Sequence, residues 1–176
     1  SQNSKNKNLA IDHFLSSEDI VLDQELFLYD IKASIAHAHE LQSINILNGA
    51  ETKKIISCLK KLARLFKANK FKLTSKYEDC HSAIEYYLTK ELGSLGQKIH
   101  TGRSRNDQVM VAMRLYARAQ LDEIQSINLK VAQSFLSKAD KHASDPMPGY
   151  THLQRAMPST WGLWFGAFAE SFLDNA

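Results

Sequence analysis

The chain has 176 residues, of which 44% are apolar and 23% charged, with a formal net charge of +3. Those are the proportions of a soluble globular protein, one good-sized domain or one small domain plus part of another. No apolar run reaches the roughly 18 residues of a membrane span, Ser1 to Asn8 is polar rather than a signal region, and the lysine pairs Lys53-Lys54 and Lys60-Lys61 fall in a helical pattern as a solvated face, not a phosphate track.

Helical spacing runs through the whole chain, and no stretch alternates apolar and polar residues for long between turn markers. The spacing predicts a first helix over about 23–48, with Leu22, Leu26, Tyr29 and the Ile31/Ile35 pair on a shared side and a left-handed C-cap at Asn48-Gly49. A second covers about 52–68, with Ile55, Leu59, Leu62 and Phe66 at steps of four, three and four. A third spans about 78–92 and closes at Gly93.

The fourth dominates. From Asp107 to about Ala143 there is no Gly or Pro, and Met110, Met113, Ala117, Leu121, Ile124, Ile127, Val131 and Phe135 recur every three or four residues. At ~1.5 Å per residue such a helix is on the order of 50 Å long. A small domain does not cover it alone, so it is expected to pack in a bundle or across a subunit interface. Asp145-Pro146-Met147-Pro148-Gly149 breaks it, and Pro158 is expected at the first position of a fifth helix. That last helix is apolar (Trp161, Leu163, Trp164, Phe165, Phe168) with neither a stopping signal nor a covering element, as expected of a piece of a longer, self-associating protein.

Residues 98–108, Lys-Ile-His-Thr-Gly-Arg-Ser-Arg-Asn-Asp-Gln, stand out chemically. Lys98, His100, Thr101, Arg103, Ser104, Arg105 and Asn106 all offer hydrogen-bond donors, and no carboxylate intervenes before Asp107. Gly102 lets the backbone itself approach a ligand closely. The long helix starting directly behind points unpaired N–H groups and a positive dipole end at the same place. Such a loop suits a ligand rich in carboxylates.

The second candidate segment is Pro148-Gly149-Tyr150-Thr151-His152-Leu153-Gln154-Arg155, read as a short loop before a helix. A histidine there exchanges a proton near neutral pH and can be oriented by Thr151 or Gln154; a structural histidine tying a tight turn is as good an account of this loop alone. The two loops bracket the long helix, so an assembly in which one helix start meets another helix end would build a site across subunits. Of the other histidines, spacing alone puts His81 first as a structural residue of the third helix. His37 and His39 lie two apart, on different faces, which speaks against a shared metal; His13 and His142 carry no signal. Cys58 and Cys80 lack metal-ligand spacing and read as small apolar residues of a reducing compartment, giving a cytoplasmic expectation.

With these segments in hand, the sequence closely resembles the argininosuccinate lyases of the fumarase/aspartase superfamily. The resemblance rests on Glu78-Asp79-Cys80-His81-Ser82, on 96–108 (Gly-Gln-Lys-Ile-His-Thr-Gly-Arg-Ser-Arg-Asn-Asp-Gln), on 147–158 (Met-Pro-Gly-Tyr-Thr-His-Leu-Gln-Arg-Ala-Met-Pro), and more weakly on Leu22-Asp23 through Ser34-Ile35-Ala36-His37-Ala38. It runs from about residue 12 to the end. It implies an all-α fold: a small N-terminal helical domain, residues 1–103, followed by the start of a long-helix bundle, residues 104–176, truncated at its C-terminal side. It also implies a homotetramer with active sites assembled from three subunits and no cofactor, while the residues themselves recommend no metal, nucleic-acid or membrane partner. The implied reaction is reversible β-elimination of argininosuccinate to arginine and fumarate.

Carried over by motif, Ser104, Arg105 and Asn106 would bind the succinyl carboxylates. Thr151 would bind substrate and assist catalysis, and His152 would be the acid/base histidine or orient it. Gln154 and His81 would be further substrate-site residues. Two departures stand against the family pattern. The loop Gly-Ser-Ser-x-Met-Pro-x-Lys-Lys-Asn-Pro, with its proton-moving serine, is absent from these 176 residues. A substrate-binding serine expected four residues before Asp23 is Asp19 here, with Ser16 and Ser17 nearby. The chain alone is therefore expected to be inactive. The alternatives are another superfamily lyase acting on a different succinyl substrate, or a non-catalytic helical assembly protein on the same scaffold.

Overall fold

The computed structural model describes residues 19–74 and 76–176, so Ser16, Ser17 and the side chain of Asp19 lie outside the described residues. Two compact units follow one another, the first running to Tyr116 and the second from Ala117. The first contains helices α1 (Asp19–Ser43), α2 (Gly49–Lys67), α3 (Cys80–Leu92) and α4 (Ser94–Gln97), a 3-10 turn at Lys98–His100, and the start of α5 (Arg105–Lys141). The second contains the rest of α5, strands β1 (Pro146–Thr151) and β2 (Gln154–Thr160), and α6 (Trp161–Asp174).

In the first unit α2 follows its apolar spacing: Ile55, Leu59 and Leu62 are fully buried and pack with Phe27, Ile31, Leu41, Ile84 and Leu88. Its start is fixed by a reciprocal cap, in which the Glu51 N–H donates to Asn48 Oδ1 and the Asn48 N–H donates to Glu51 Oε2, both at 2.9 Å. That corrects the expected end of α1. The Asn48-Gly49 pair opens α2; α1 stops at Ser43, and the left-handed residue is Asn45 at φ 61°. The N–H groups of Ile46 and Leu47 both donate to the Leu41 carbonyl, which closes α1 and buries Leu47.

Helix α3 begins at Cys80, two residues later than the spacing suggests, because Asp79 serves as its cap and accepts from the Ser82 N–H at 2.6 Å. It ends at Gly93, as expected, with φ 61°. Gly96 is needed for a different reason: a Cβ there would collide with the Leu88 carbonyl of the neighbouring helix.

The long helix is present. Its 37 residues give a rod on the order of 55 Å at ~1.5 Å each. In the second unit Phe135 on α5 meets Phe165, Phe168 and Phe172 on α6 at ring-centroid distances of 6.0, 5.6 and 5.7 Å. Much of the remaining apolar stripe is uncovered, with Leu121 64% and Leu163 69% exposed.

The connection between these helices is not the expected loop. Strands β1 and β2 form an antiparallel hairpin, with Pro146 opposite Thr160 and Thr151 opposite Gln154, and an irregularity between Pro148 and Tyr150. Pro158 pairs with Pro148 inside the hairpin and does not start α6; Thr160 caps that helix, its Oγ1 accepting from the Leu163 N–H at 3.0 Å. The hairpin hides in the sequence because three of its residues are prolines, which lack an N–H and interrupt the usual strand pattern.

Replacing Gly96 by Ala is expected to destabilise the first unit by about 1–3 kcal/mol, the usual cost of forcing volume into packed backbone. Urea denaturation of the variant checks this, and an unchanged midpoint would show that α3 can move aside.

Candidate active site

The donor-rich loop is built by the start of α5. Ser104 precedes the helix; its N–H and Oγ donate to Asp107 Oδ2 at 2.9 and 2.8 Å, and its carbonyl accepts the Gln108 N–H at 3.2 Å. Ser104 is thus the helix cap, which places the start at Arg105, two residues earlier than the sequence suggests. The bonds from the Ser104 N–H and hydroxyl also hold the Asp107 carboxyl below its ordinary range.

Gly102 has φ 69° with open space where a Cβ would lie. The glycine serves the left-handed turn. Thr101 is tied back by its carbonyl, which lies 3.0 Å from His37 Nε2. Burial first, then the charge of Arg103, depresses the His37 pKa, so a neutral ring donates its Nε2–H to that carbonyl. Lys98 is committed to Glu51 at 2.8 Å.

Arg105 is half-exposed, and its Nη1 meets Glu78 Oε2 at 3.0 Å and Asp79 Oδ2 at 3.2 Å. The motif 78–82 and the motif 98–108 are therefore in direct contact. Asn106 is exposed, and no side-chain hydrogen bond among the described residues uses it. Beside the loop lies a cleft of about 370 Å³, lined in part by His37, Gly102, Arg103 and Gln108.

Under the loop sits a network that sequence reasoning missed. Asp30 on α1 has no exposed surface. Its carboxylate accepts from His81 Nδ1 at 2.6 Å, from Gln108 Nε2 at 2.8 and 3.0 Å, and from Ser34 Oγ at 3.3 Å. Arg103 Nη1 donates to Ser34 Oγ at 3.2 Å, and the Arg103 Nε is buried without a hydrogen-bond partner among the described residues. The signal available in the sequence was the phase of Asp30, which shares the buried stripe of Phe27, Ile31 and Ser34.

His81 is 5% exposed and faces Asp30 through Nδ1. Burial pushes its pKa down, but the Asp30 hydrogen bond and charge outweigh this, and the net direction is upward. Asp30, Cys80 and His81 are the group among the described residues with metal-ligand proximity. Those donors are already committed to one another and to Gln108, and burial followed by the charge of Asp30 pushes the Cys80 thiol far up, so the set is closed by its own hydrogen bonds.

Thr151, His152 and Gln154 come together in the second unit, at the tip of the hairpin. Thr151 pairs with Gln154, leaving His152 and Leu153 as the two turn residues at φ 48° and 63°. Positive φ at both positions is the geometry that matches strand twist in a two-residue hairpin turn. The three side chains are exposed and make no hydrogen bonds with other described residues.

Residues 10–176 match the protein family described as lyase. The chain belongs to that family. The chain is 49% identical over 166 residues to the argininosuccinate lyase of Xanthomonas axonopodis pv. citri, an alignment spanning 94% of this chain and 38% of that protein. It is 48% identical over 167 residues to the argininosuccinate lyase of Xylella fastidiosa, spanning 95% of this chain and 38% of the relative. The chain thus covers well under half the length of these curated relatives. Among solved structures, an EDDS lyase with bound fumarate superimposes with a TM-score of 0.74 at 28% identity, over 87% of this chain and 30% of that one. A fumarate lyase:delta crystallin from Brucella melitensis superimposes at 0.71 with 19% identity, over 87% and 38% of the two chains, a likeness of fold alone. The architecture is the all-α fold of the fumarase/aspartase superfamily, with a two-stranded hairpin between α5 and α6.

Because His81 has a raised folded-state pKa, its protonated form is favoured by folding. The stabilisation is complete below the ordinary histidine value near 6.5 and is lost as pH climbs through the folded value. Melting temperature is expected to fall across that alkaline window, and His81→Gln is expected to flatten the fall. A variant with the same pH slope as the parent would place the titrating group elsewhere.

Proposed function

We propose that this lyase acts as an argininosuccinate lyase, cleaving argininosuccinate reversibly to arginine and fumarate in arginine biosynthesis. The observation that carries the proposal is the 49% identity to argininosuccinate lyases over 94% of the chain, with both donor-bearing motifs inside the matched region. In the elimination a C–H bond beside a carboxylate breaks and its electron pair forms the C=C bond of fumarate. The C–N bond to the guanidinium breaks, and the leaving nitrogen takes up a proton. Negative charge develops on the carboxylate as the proton leaves, and fixed donors stabilise it.

Arg105 and Asn106, with Ser104 alongside, are the donors assigned to the succinyl carboxylates. Thr151 and Gln154 bind substrate, and Thr151 with His152 serves the proton transfers, His152 as the acid/base or the group that orients it. His81 supports the substrate site. Glu78 and Asp79 already hold Arg105 through Nη1, so the remaining guanidinium edge is the one open to a ligand carboxylate. No metal or cofactor is assigned. The domains are taken as 1–103 and 104–176, the working state as a homotetramer, and the location as the cytoplasm. The uncovered apolar stripes of α5 and α6 support self-association; no described helix is long and apolar enough to cross a membrane.

The similarity to an EDDS lyase favours one alternative, a carbon–nitrogen lyase of the same chemistry on a different succinyl substrate. Fumarate release from argininosuccinate, with adenylosuccinate as the control, decides between them. The natural-length protein is expected to release fumarate from argininosuccinate alone, and the 176-residue chain to show no turnover. Turnover by the 176-residue chain would refute the need for the rest of the relatives' length. In the natural-length protein, His152→Ala is expected to lower kcat by about 10²-fold or more, the usual loss of a positioned acid or base. Arg105→Lys keeps the charge but not the planar fork, so KM should rise; an unchanged KM would remove Arg105 from carboxylate binding.

A further inference from the structure

Two tethers straddle Ser104, Arg105 and Asn106, and both end on the same buried carboxylate. On the C-terminal side, Gln108 is 4% exposed; its backbone N–H donates to Ser104 and its side-chain amide donates to both Asp30 oxygens. On the N-terminal side, Arg103 donates to Ser34 Oγ, and Ser34 in turn donates to Asp30. The Asp30 carboxylate also receives His81, whose preceding residues Glu78 and Asp79 grip Arg105. One buried group thus sets where the loop lies and where the segment holding its arginine lies.

We propose that Asp30 and Gln108 are positioning residues for carboxylate binding at Ser104–Arg105–Asn106. They touch no ligand themselves; they hold the loop in the binding geometry before a ligand arrives. The proposal rests on the lyase assignment above. Removing a tether lets the loop sample other positions, and only the fraction in the right geometry binds, so apparent affinity falls by that fraction. The loss falls on ground-state binding of the dicarboxylate, and on KM more than on kcat.

The test uses Gln108→Met in the natural-length protein, which keeps the side chain's length and volume and removes its donor. KM for argininosuccinate and the competitive inhibition constant of fumarate are each expected to rise about tenfold, with kcat changed by no more than about threefold. Ser34→Ala cuts the other tether and is expected to move the same constants in the same direction. It decides the matter if Gln108→Met does not fold. A folded variant with parental KM and inhibition constant, whatever its melting temperature, overturns the proposal.

Failure of the lyase assignment has a separate signature, which is a parent protein that does not turn over argininosuccinate. Calorimetric titration with fumarate then replaces kinetics. Weaker fumarate binding by Gln108→Met supports positioning; equal binding, or no binding by the parent, refutes it.

Discussion

A carboxylate with no exposed surface loses its hydration, and an unpaired charge there would cost several kcal/mol. Asp30 is in that position, and its partners replace water: the His81 imidazole, the Gln108 amide and the Ser34 hydroxyl. These groups belong to α1, α3 and α5. The demand that one buried charge be satisfied therefore fixes three helices of the first unit against one another, more specifically than apolar contact does. Phe27, Ile55 and Leu88 would tolerate small shifts in register; a 2.6 Å bond between Asp30 and His81 does not.

The start of α5 shows how this constraint reaches the chemistry. A helix N-terminus presents N–H groups to anions in general, but here Asp107 takes the Ser104 amide and hydroxyl for itself. Under the proposed function, the side-chain edge of Arg105 and the amide of Asn106 are free for an external carboxylate, and Ser104 joins them by giving up its bond to Asp107. Glu78 and Asp79 engage one guanidinium nitrogen of Arg105 and leave the rest. On the same reading, specificity at this helix start is carried by side chains held in place from below, and less by the helix dipole.

The helices were legible because their apolar residues recur at the helical period and their caps obey local rules. Gly93 ends α3 as its neighbours suggest, and Ile55, Leu59 and Leu62 are buried as their spacing requires. Boundaries failed where one residue pair serves two readings. Asn48-Gly49 looks like the end of a helix and is the start of the next, since Glu51 three residues after Asn48 completes a capping box. The candidate loop residues were legible as a cluster of donors, but their division of labour was not. Ser104 caps the helix through its near neighbour Asp107, while Lys98 pairs with Glu51 and Arg103 turns inward to Ser34, the last two decided by long-range partners that spacing cannot supply. Asp30 escaped notice because a single carboxylate on an apolar stripe reads as an exception until its partners are known.

The hairpin tip poses the opposite case to the Asp30 network. His152 and Leu153 occupy left-handed backbone without being glycine, and Leu153 is 96% exposed. Conformations of that kind persist when the surroundings over-determine them. The surroundings here are backbone: Thr151 pairs with Gln154, and Gly149 fits against the Met157 carbonyl where a Cβ would collide. The main chain of the tip is thus fixed while its side chains are not. A histidine that exchanges protons needs one ring nitrogen oriented by a partner. The hairpin supplies none to His152, so under the proposed function its orientation comes from the substrate or from groups beyond the hairpin. On that reading, ligand binding and proton transfer draw on different kinds of order: the first on a buried carboxylate that fixes side chains in advance, the second on a rigid turn that presents side chains still to be engaged.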